Sequence, residues 1–290
     1  MMKHKGNIRQ WAALLLVVPL LSATVVLGQE LAPQARHAEM LERIERSPLP
    51  GSIKLVSTEG NREILGQVHA LVPHGLEQVS GALGSAASWC EITFLHPNVK
   101  ACTHDEGVDD TSTLQLYLGR RFFEPPDEAT ALQLRFEAIR VDDDHFEVSV
   151  GGARGPHGTR NFRMQLEAFP LHADETLVQL RYSVEIGALA RFALRVYFAT
   201  GGRHRIGFSL DDDGEPVRGL RGMIERNVMR FHLGLKAYLE TRDEPQVRRL
   251  QARLERWFEL SERYPEQLRE LDRDRYLDQK QREWRQQQRL

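Results

Sequence analysis

Chemistry in this chain would have to come from its two cysteines, its histidines or a polar residue set into an apolar face. Cys90 and Cys102 sit in ASWCEITFLHPNVKACTH. A disulfide between them closes a loop of about 13 residues and stabilises by roughly 3 kcal/mol in the chain-entropy model. An oxidising compartment favours that crosslink, and the alternative is two buried free thiols. His69, His74, His96, His104, His145, His157, His172, His204 and His232 are scattered, with no HxxxH or HExxH spacing. Two cysteines cannot make a zinc site unaided. His96 and His104 flank Cys102 near Asp105, Asp109 and Asp110, which reads as a solvated acidic loop before it reads as a loose metal site. There is no GxSxG nucleophile elbow. The glycines of 151–159 neither lead into a helix nor end in Gly-Lys-Ser/Thr, so they make no P-loop. Asp211-Asp212-Asp213-Gly214 lacks the EF-hand spacing and reads as a hairpin turn. Tyr182, Glu185, Arg181 and Asn227 could do acid–base work, but nothing in their spacing demands it. No metal and no cofactor is expected, and no catalytic residue is assigned.

Asn227 carries the most information. It lies in 220–239, LRGMIERNVMRFHLGLKAYL. At 100° per residue Leu220, Met223, Ile224, Val228, Phe231, Leu235 and Tyr238 share one side of a helix. Arg221, Glu225, Arg226, Arg230, His232 and Lys236 take the other. Asn227 and Gly234 sit within the apolar stripe. A buried amide needs partners, which are either backbone of a sheet or a ligand's polar head.

A concave surface for that helix comes from the strand series. Leu114/Leu116/Leu118, Leu132/Leu134/Phe136/Ala138, Phe146/Val148/Val150, Phe162/Met164/Leu166/Ala168 and Val178/Leu180/Tyr182/Val184/Ile186 all alternate. Arg135, Glu137, Arg163, Glu167, Arg181 and Glu185 fall on the opposite face. This predicts an antiparallel sheet, apolar on one side and wet on the other. Upstream, 33–46 predicts a helix with Met40, Leu41 and Ile44 on one face. Residues 53–58 and 63–72 predict a hairpin, and 76–95 two short helices. The stretch 187–200, GALARFALRVYFAT, has almost no polar face beyond Arg191 and Arg195. It reads as a helix buried against the sheet; its functional reading is a lid or a membrane-touching helix. Residues 206–210 read as part of a last hairpin. Beyond 240 the chain is charged, with a seam of Val247, Leu250, Leu254 and Trp257/Phe258 broken at Pro265. That is a long kinked helix that either packs on the domain or meets a protein partner through 243–290, with the residues from Gln279 fraying.

Net charge is −2 and arginine is spread over both halves, so no field favours nucleic acid. At the N-terminus Lys3, Lys5 and Arg9 precede an apolar run from Trp11 to Leu27 that ends at Gly28. This predicts a signal peptide over 1–28 and a periplasmic protein; the alternative is an uncleaved anchor.

In order, these elements resemble the helix-grip fold of the START-like superfamily of lipid-transfer and polyketide cyclase-like proteins, over roughly residues 35–240. The resemblance implies an α+β fold in which a curved antiparallel sheet grips 220–239 around an apolar cavity. The helix at 187–200 and the tail beyond 240 depart from it. The blocks Glu225-Arg226-Asn227-Val228-Met229-Arg230 and Trp257-Phe258-Glu259-Leu260-Ser261-Glu262-Arg263-Tyr264-Pro265 resemble those of an uncharacterised group of exported proteobacterial proteins, which implies no function. The expected organisation is a signal (1–28), a helix-grip domain (29–240) and a charged helical extension (241–290). The expected function is binding of a hydrophobic or amphipathic small molecule or lipid, lined by Phe136, Met164, Tyr182, Asn227 and Phe231. Two other classes stay open: an envelope scaffold working through the C-terminal helix, and a cyclase-like enzyme using the same pocket.

Overall fold

The structure, a computed structural model, describes residues 33–290 apart from 106–111, 143 and 156–157. The expected signal segment, His157, Asp109 and Asp110 lie outside the described residues.

The alternating stretches fold as expected. Strands β1 (Ile53–Glu59), β2 (Glu63–Val72), β3 (Val99–Asp105), β4 (Ser112–Leu118), β5 (Thr130–Asp142), β6 (His145–Arg154), β7 (Thr159–His172) and β8 (Glu175–Ile186) form one antiparallel sheet. Its order is β1-β2-β8-β7-β6-β5-β4-β3, curved and unclosed. The even-numbered residues of β5 to β8 named above point inward and are buried, apart from the half-buried Ala138 and Tyr182, which fixes the register because a one-residue slip would turn the whole set to water.

Helices line the concave side. Helix α5 (Gly219–Glu240) lies against β1, β2 and β8, while α2 (Leu76–Leu83) and α3 (Ala86–Phe94) cover the rest of the curve. Two glycines set the distances. A Cβ on Gly66 of β2 would stand 3.1 Å from Val228 and 3.2 Å from the Ile224 carbonyl, and one on Gly234 would stand 3.1 Å from the Ile92 carbonyl. Backbone therefore approaches backbone where α5 crosses the sheet and where it crosses α3. The expected disulfide is present, tying Cys90 of α3 to Cys102 of β3 with Cα atoms 5.1 Å apart.

Several expectations are corrected. Strand β3 was not anticipated from the sequence; α3 and α8 pack on it, its first four residues are all buried, and so it shows no alternation. The second face of α5 is not solvated: Glu225, Arg226, Arg230 and His232 are buried. The region beyond 240 is three helices rather than one, α6 (Gln246–Ser261), α7 (Pro265–Leu268) and α8 (Arg273–Gln287), and they share the main core through Leu254, Trp257, Leu260, Leu268 and Tyr276. Val247 is not in that seam but 93% exposed. The last residues do not fray from Gln279 onward, since Gln279, Lys280 and Glu283 are buried within α8.

The expected hairpin at 206–210 is a tight turn with a single bridge, Leu210 to Pro216. Its aspartates serve the turn, Asp211 Oδ1 accepting from the N–H groups of Asp213 and Glu215. The outer face of the sheet is only partly wet, because α1 (Pro33–Glu45) covers one corner with Met40 and Ile44 on Phe169 and Leu177. Among the described residues no helix is long and apolar enough to cross a membrane.

Candidate functional site

Strand register collects three of the five expected lining residues into one row. Phe136 pairs with Val150, Val150 with Met164, Met164 with Tyr182, and Tyr182 with Gly66. The row crosses the concave face from the middle of β5 to the place where α5 touches β2. From α5, Phe231 comes down onto it, with its ring centroid 5.7 Å from that of Tyr182. Phe162 meets Tyr182 edge-on at 5.2 Å. Phe136, Met164 and Phe231 are buried in the main hydrophobic cluster.

Asn227 and Tyr182 are different: both are only half-buried. Tyr182 touches the main cluster and also a second one, made by Ile64, Val184, Ile186, Leu220 and Ile224. Met223, on the same stripe of α5 as Asn227, is half-buried as well. Tyr182, Met223 and Asn227 are thus less covered than Phe136, Met164 and Phe231. Burial pushes the Tyr182 hydroxyl up to about 12, so it stays a protonated donor.

The partner of Asn227 is His96, which the sequence did not single out for this role. The Asn227 side chain stands by the imidazole in a polar contact that favours its protonated form. His96 Nδ1 accepts from the Asn98 N–H at 3.1 Å, and its ring lies 5.1 Å from that of Phe231. Burial lowers His96 to about 3, with Arg230 nearby adding to the effect, so the imidazole is neutral. An amide and a neutral imidazole therefore stand beside the aromatic end of the row.

The acid–base set considered from sequence is not brought together. Tyr182 and Asn227 face inward, but Arg181 and Glu185 are odd-numbered residues of β8 and point to the other side of the sheet. Nor does the charged face of α5 offer a free carboxylate. Glu225 accepts from Ser57 Oγ, from Ser209 Oγ and from the N–H groups of Phe208 and Ser209. Glu270, before α8, accepts from Arg205 at 2.7 Å and Arg230 at 2.9 Å. These groups close the turn and the C-terminal helices onto α5. Among the described residues no cluster of His, Cys, Asp or Glu could hold a metal ion.

Helix α4 (Ala188–Ala199) overturns the expectation of a helix buried against the sheet. Its inward face is Ala190, Leu194 and Phe198, set on the second cluster, and between them Arg191 is buried. Arg191 donates to Glu59 at 2.8 Å and Arg195 donates to the same carboxylate at 3.3 Å. The outward face is Leu189, Phe192, Val196 and Tyr197, with Leu189 83% and Phe192 67% exposed. With apolar residues on both faces, one face had to be left out, and Glu59 selects the arginine side for the inside.

No family model matches the chain, and no curated protein matches it. Solved structures do. The Zhui aromatase/cyclase from Streptomyces sp. R1128 is 15% identical over 65% of this chain and 92% of its own, with a TM-score of 0.38. Human StAR-related lipid transfer protein 5 is 14% identical over 73% of this chain and 100% of its own, with a TM-score of 0.37. A STAR-related lipid transfer protein from Xanthomonas axonopodis is 16% identical over 53% of this chain and 91% of its own, with a TM-score of 0.35. By strand order, register and the helix held in the curve of its sheet, this chain has a helix-grip arrangement, with α4 preceding the gripped helix and α6–α8 following it.

Proposed function

We propose that this protein binds a hydrophobic or amphipathic small molecule, a lipid among the candidates, on the concave face between the sheet and α5. The observation that carries this reading is the aromatic row ending at the half-buried trio Tyr182, Met223 and Asn227. The apolar part of a ligand would replace side-chain contacts along Phe136, Met164 and Phe231. Its polar end would lie at Asn227, with the Tyr182 hydroxyl as a second donor. Helix α4 covers the second cluster next to this trio with Ala190, Leu194 and Phe198 and is tied to β1 through Glu59, so it is the element whose displacement would widen the mouth.

The outer face of α4 suits a membrane surface as the place of exchange. Leu189, Phe192, Val196 and Tyr197 are exposed there, and Arg195 lies beside them. We further propose export to the periplasm, on the charge and apolar pattern of 1–28.

The test is native mass spectrometry of protein expressed with its N-terminal segment, followed by solvent extraction and lipid analysis. A reproducible co-purifying amphiphile, lost in a Phe231→Ala variant that still melts cooperatively, is the expected result. A clean apo mass with no uptake from a membrane extract would end the binding reading. Cell fractionation with and without residues 1–28 checks the compartment: the full chain should appear in the periplasmic fraction and the shortened one should not.

A further inference from the structure

At the end of the sheet where α4 begins, the β1–β2 turn, β7, β8 and α4 border a cleft of about 600 Å³. Arg62, Arg160, Arg191 and Arg195 line it together with the carboxylate of Glu185, while Glu59 behind it pairs with Arg191 and Arg195. The Glu185 carboxylate is engaged, accepting from Asn161 Nδ2 at 2.8 Å. Arg62 and Arg160 are exposed and have no ion pair among the described residues. Arg191 is the more telling group. It is more than nine-tenths buried, and among the described residues only Nη1 is used, on Glu59, while Nε and Nη2 have no partner. A guanidinium placed out of water with idle donors is what an absent acceptor leaves behind.

The backbone adds to this. Gly187 is the N-cap of α4, with extended backbone and no side chain capping the helix, and the first turn carries no acidic residue. The Arg191 N–H is the first to find an intrahelical acceptor, the Gly187 carbonyl. The earlier N–H groups of the turn are left for an outside acceptor, and Gly187 and Ala188 both border the cleft.

We propose that this cleft binds a phosphate-type oxyanion. Arg191 supplies the buried fork, Arg62, Arg160 and Arg195 the surrounding charge, and the start of α4 the backbone donors. A tetrahedral group bearing several acceptor oxygens fits convergent guanidiniums better than a single carboxylate does. Such a group is either a free phosphate ester or the headgroup of an anionic lipid. Phe192 on the rim and Leu189 beside it place apolar surface next to the charge, as a headgroup with its chains would require. The cleft shares no residue with the Phe136–Met164–Tyr182 row, so it stands or falls separately from the ligand proposed there.

The experiment uses the full chain and two probes, inorganic phosphate by calorimetry and vesicles of phosphatidylglycerol or phosphatidylcholine by co-sedimentation, at fixed ionic strength. The variants are R62E/R160E, two exposed positions whose reversal leaves the core intact; R191K, which keeps the charge and loses the fork; and L189S/F192S. Cooperative melting is verified for each. Expected is saturable binding of phosphate or of the anionic vesicles, weakened about tenfold or more in R62E/R160E and R191K. Loss of vesicle binding in L189S/F192S identifies the lipid headgroup. Phosphate binding that survives L189S/F192S, with no preference for anionic vesicles, identifies the free ester. Neither probe binding, or binding unchanged in both arginine variants, overturns the proposal.

Discussion

At the scale of single residues, the buried polar groups decide most. Lys100, Lys280 and Glu283 are fully buried together. Glu283 accepts from Lys100 at 2.9 Å and from Lys280 at 2.8 Å. The lysines spend their other donors on the carbonyls of Pro97, Phe122 and Val99, and Lys280 also lies over the Phe94 ring at 3.7 Å. Burial still lowers Lys280 to about 8. Two cations thus depend on one carboxylate, and Glu283→Ala should cost about 3–5 kcal/mol in urea unfolding, as removal of one member of a buried ion pair does. Glu283→Gln, which keeps the acceptor oxygen, should cost less. Equal, small losses in both would mean that water reaches the site. Asn227 poses the opposite question, since its amide serves both the fold and the proposed ligand. Asn227→Leu should lower amphiphile affinity and also cost about 1–3 kcal/mol, because His96 loses its partner in a buried site. A variant that keeps its affinity and gains stability would remove Asn227 from the ligand site.

At the scale of elements, legibility followed periodicity. Strands with one wet face, such as β5 and β8, were readable because burial alternates along them. β3 was not, since helices cover both of its faces. The apolar stripe of α5 was readable, but its charged side misled. Glu225 and Arg230 look solvated in a helical projection, yet each meets a partner brought from far along the chain, Ser57 and Ser209 for one and Glu270 for the other. The row of Phe136, Met164 and Tyr182 follows from the alternation alone; its contact with His96 through Asn227 does not, because it depends on where a helix end falls. For α4, composition could not say which apolar face goes inside. The same reasoning bears on α8. Its Tyr276 hydroxyl donates to the Leu95 carbonyl, and its ring stacks on Trp257 at 4.9 Å. It also supplies Glu283 to Lys100. Truncation before Asp272 should therefore abolish cooperative unfolding or greatly lower the melting temperature, since it strips apolar cover and leaves Lys100 unpaired. A truncated protein that melts like the full chain would make α8 an appendage and revive the scaffold reading.

At the scale of the whole molecule, three histidines from different elements make stability depend on pH in one direction. His69 of β2 and His232 of α5 are lowered to about 4, and His96 to about 3, in each case chiefly by burial. Neighbouring cations add to it: Arg43 and Arg181 at His69, Arg230 and Lys280 at His96, Lys236 at His232. Glu39 and Glu270 oppose it at His69 and His96, as does the Asn227 contact at His96. In the unfolded chain each imidazole titrates near 6.5. Below that pH the unfolded state takes up protons that the folded state refuses. Their contribution is therefore complete above about 6.5 and is lost as the pH falls toward 4 to 3. The slope is at most about 1.4 kcal/mol per pH unit for each histidine, or about 4 for the three. Carboxylates held low by arginines, Glu240 and Glu270, add their own loss only at more acidic pH. The interval from pH 6 to 5 thus isolates the imidazoles. Urea unfolding at the two ends should show a clear drop, and His232→Gln should reduce that drop by about a third while leaving the curve above pH 7 parallel to that of the parent. A flat profile from 7 to 5 would mean that these rings reach solvent or find acceptors on protonation. That would weaken the picture of a dry layer beneath α5, because His96 stands beside Asn227 at the proposed ligand's polar end.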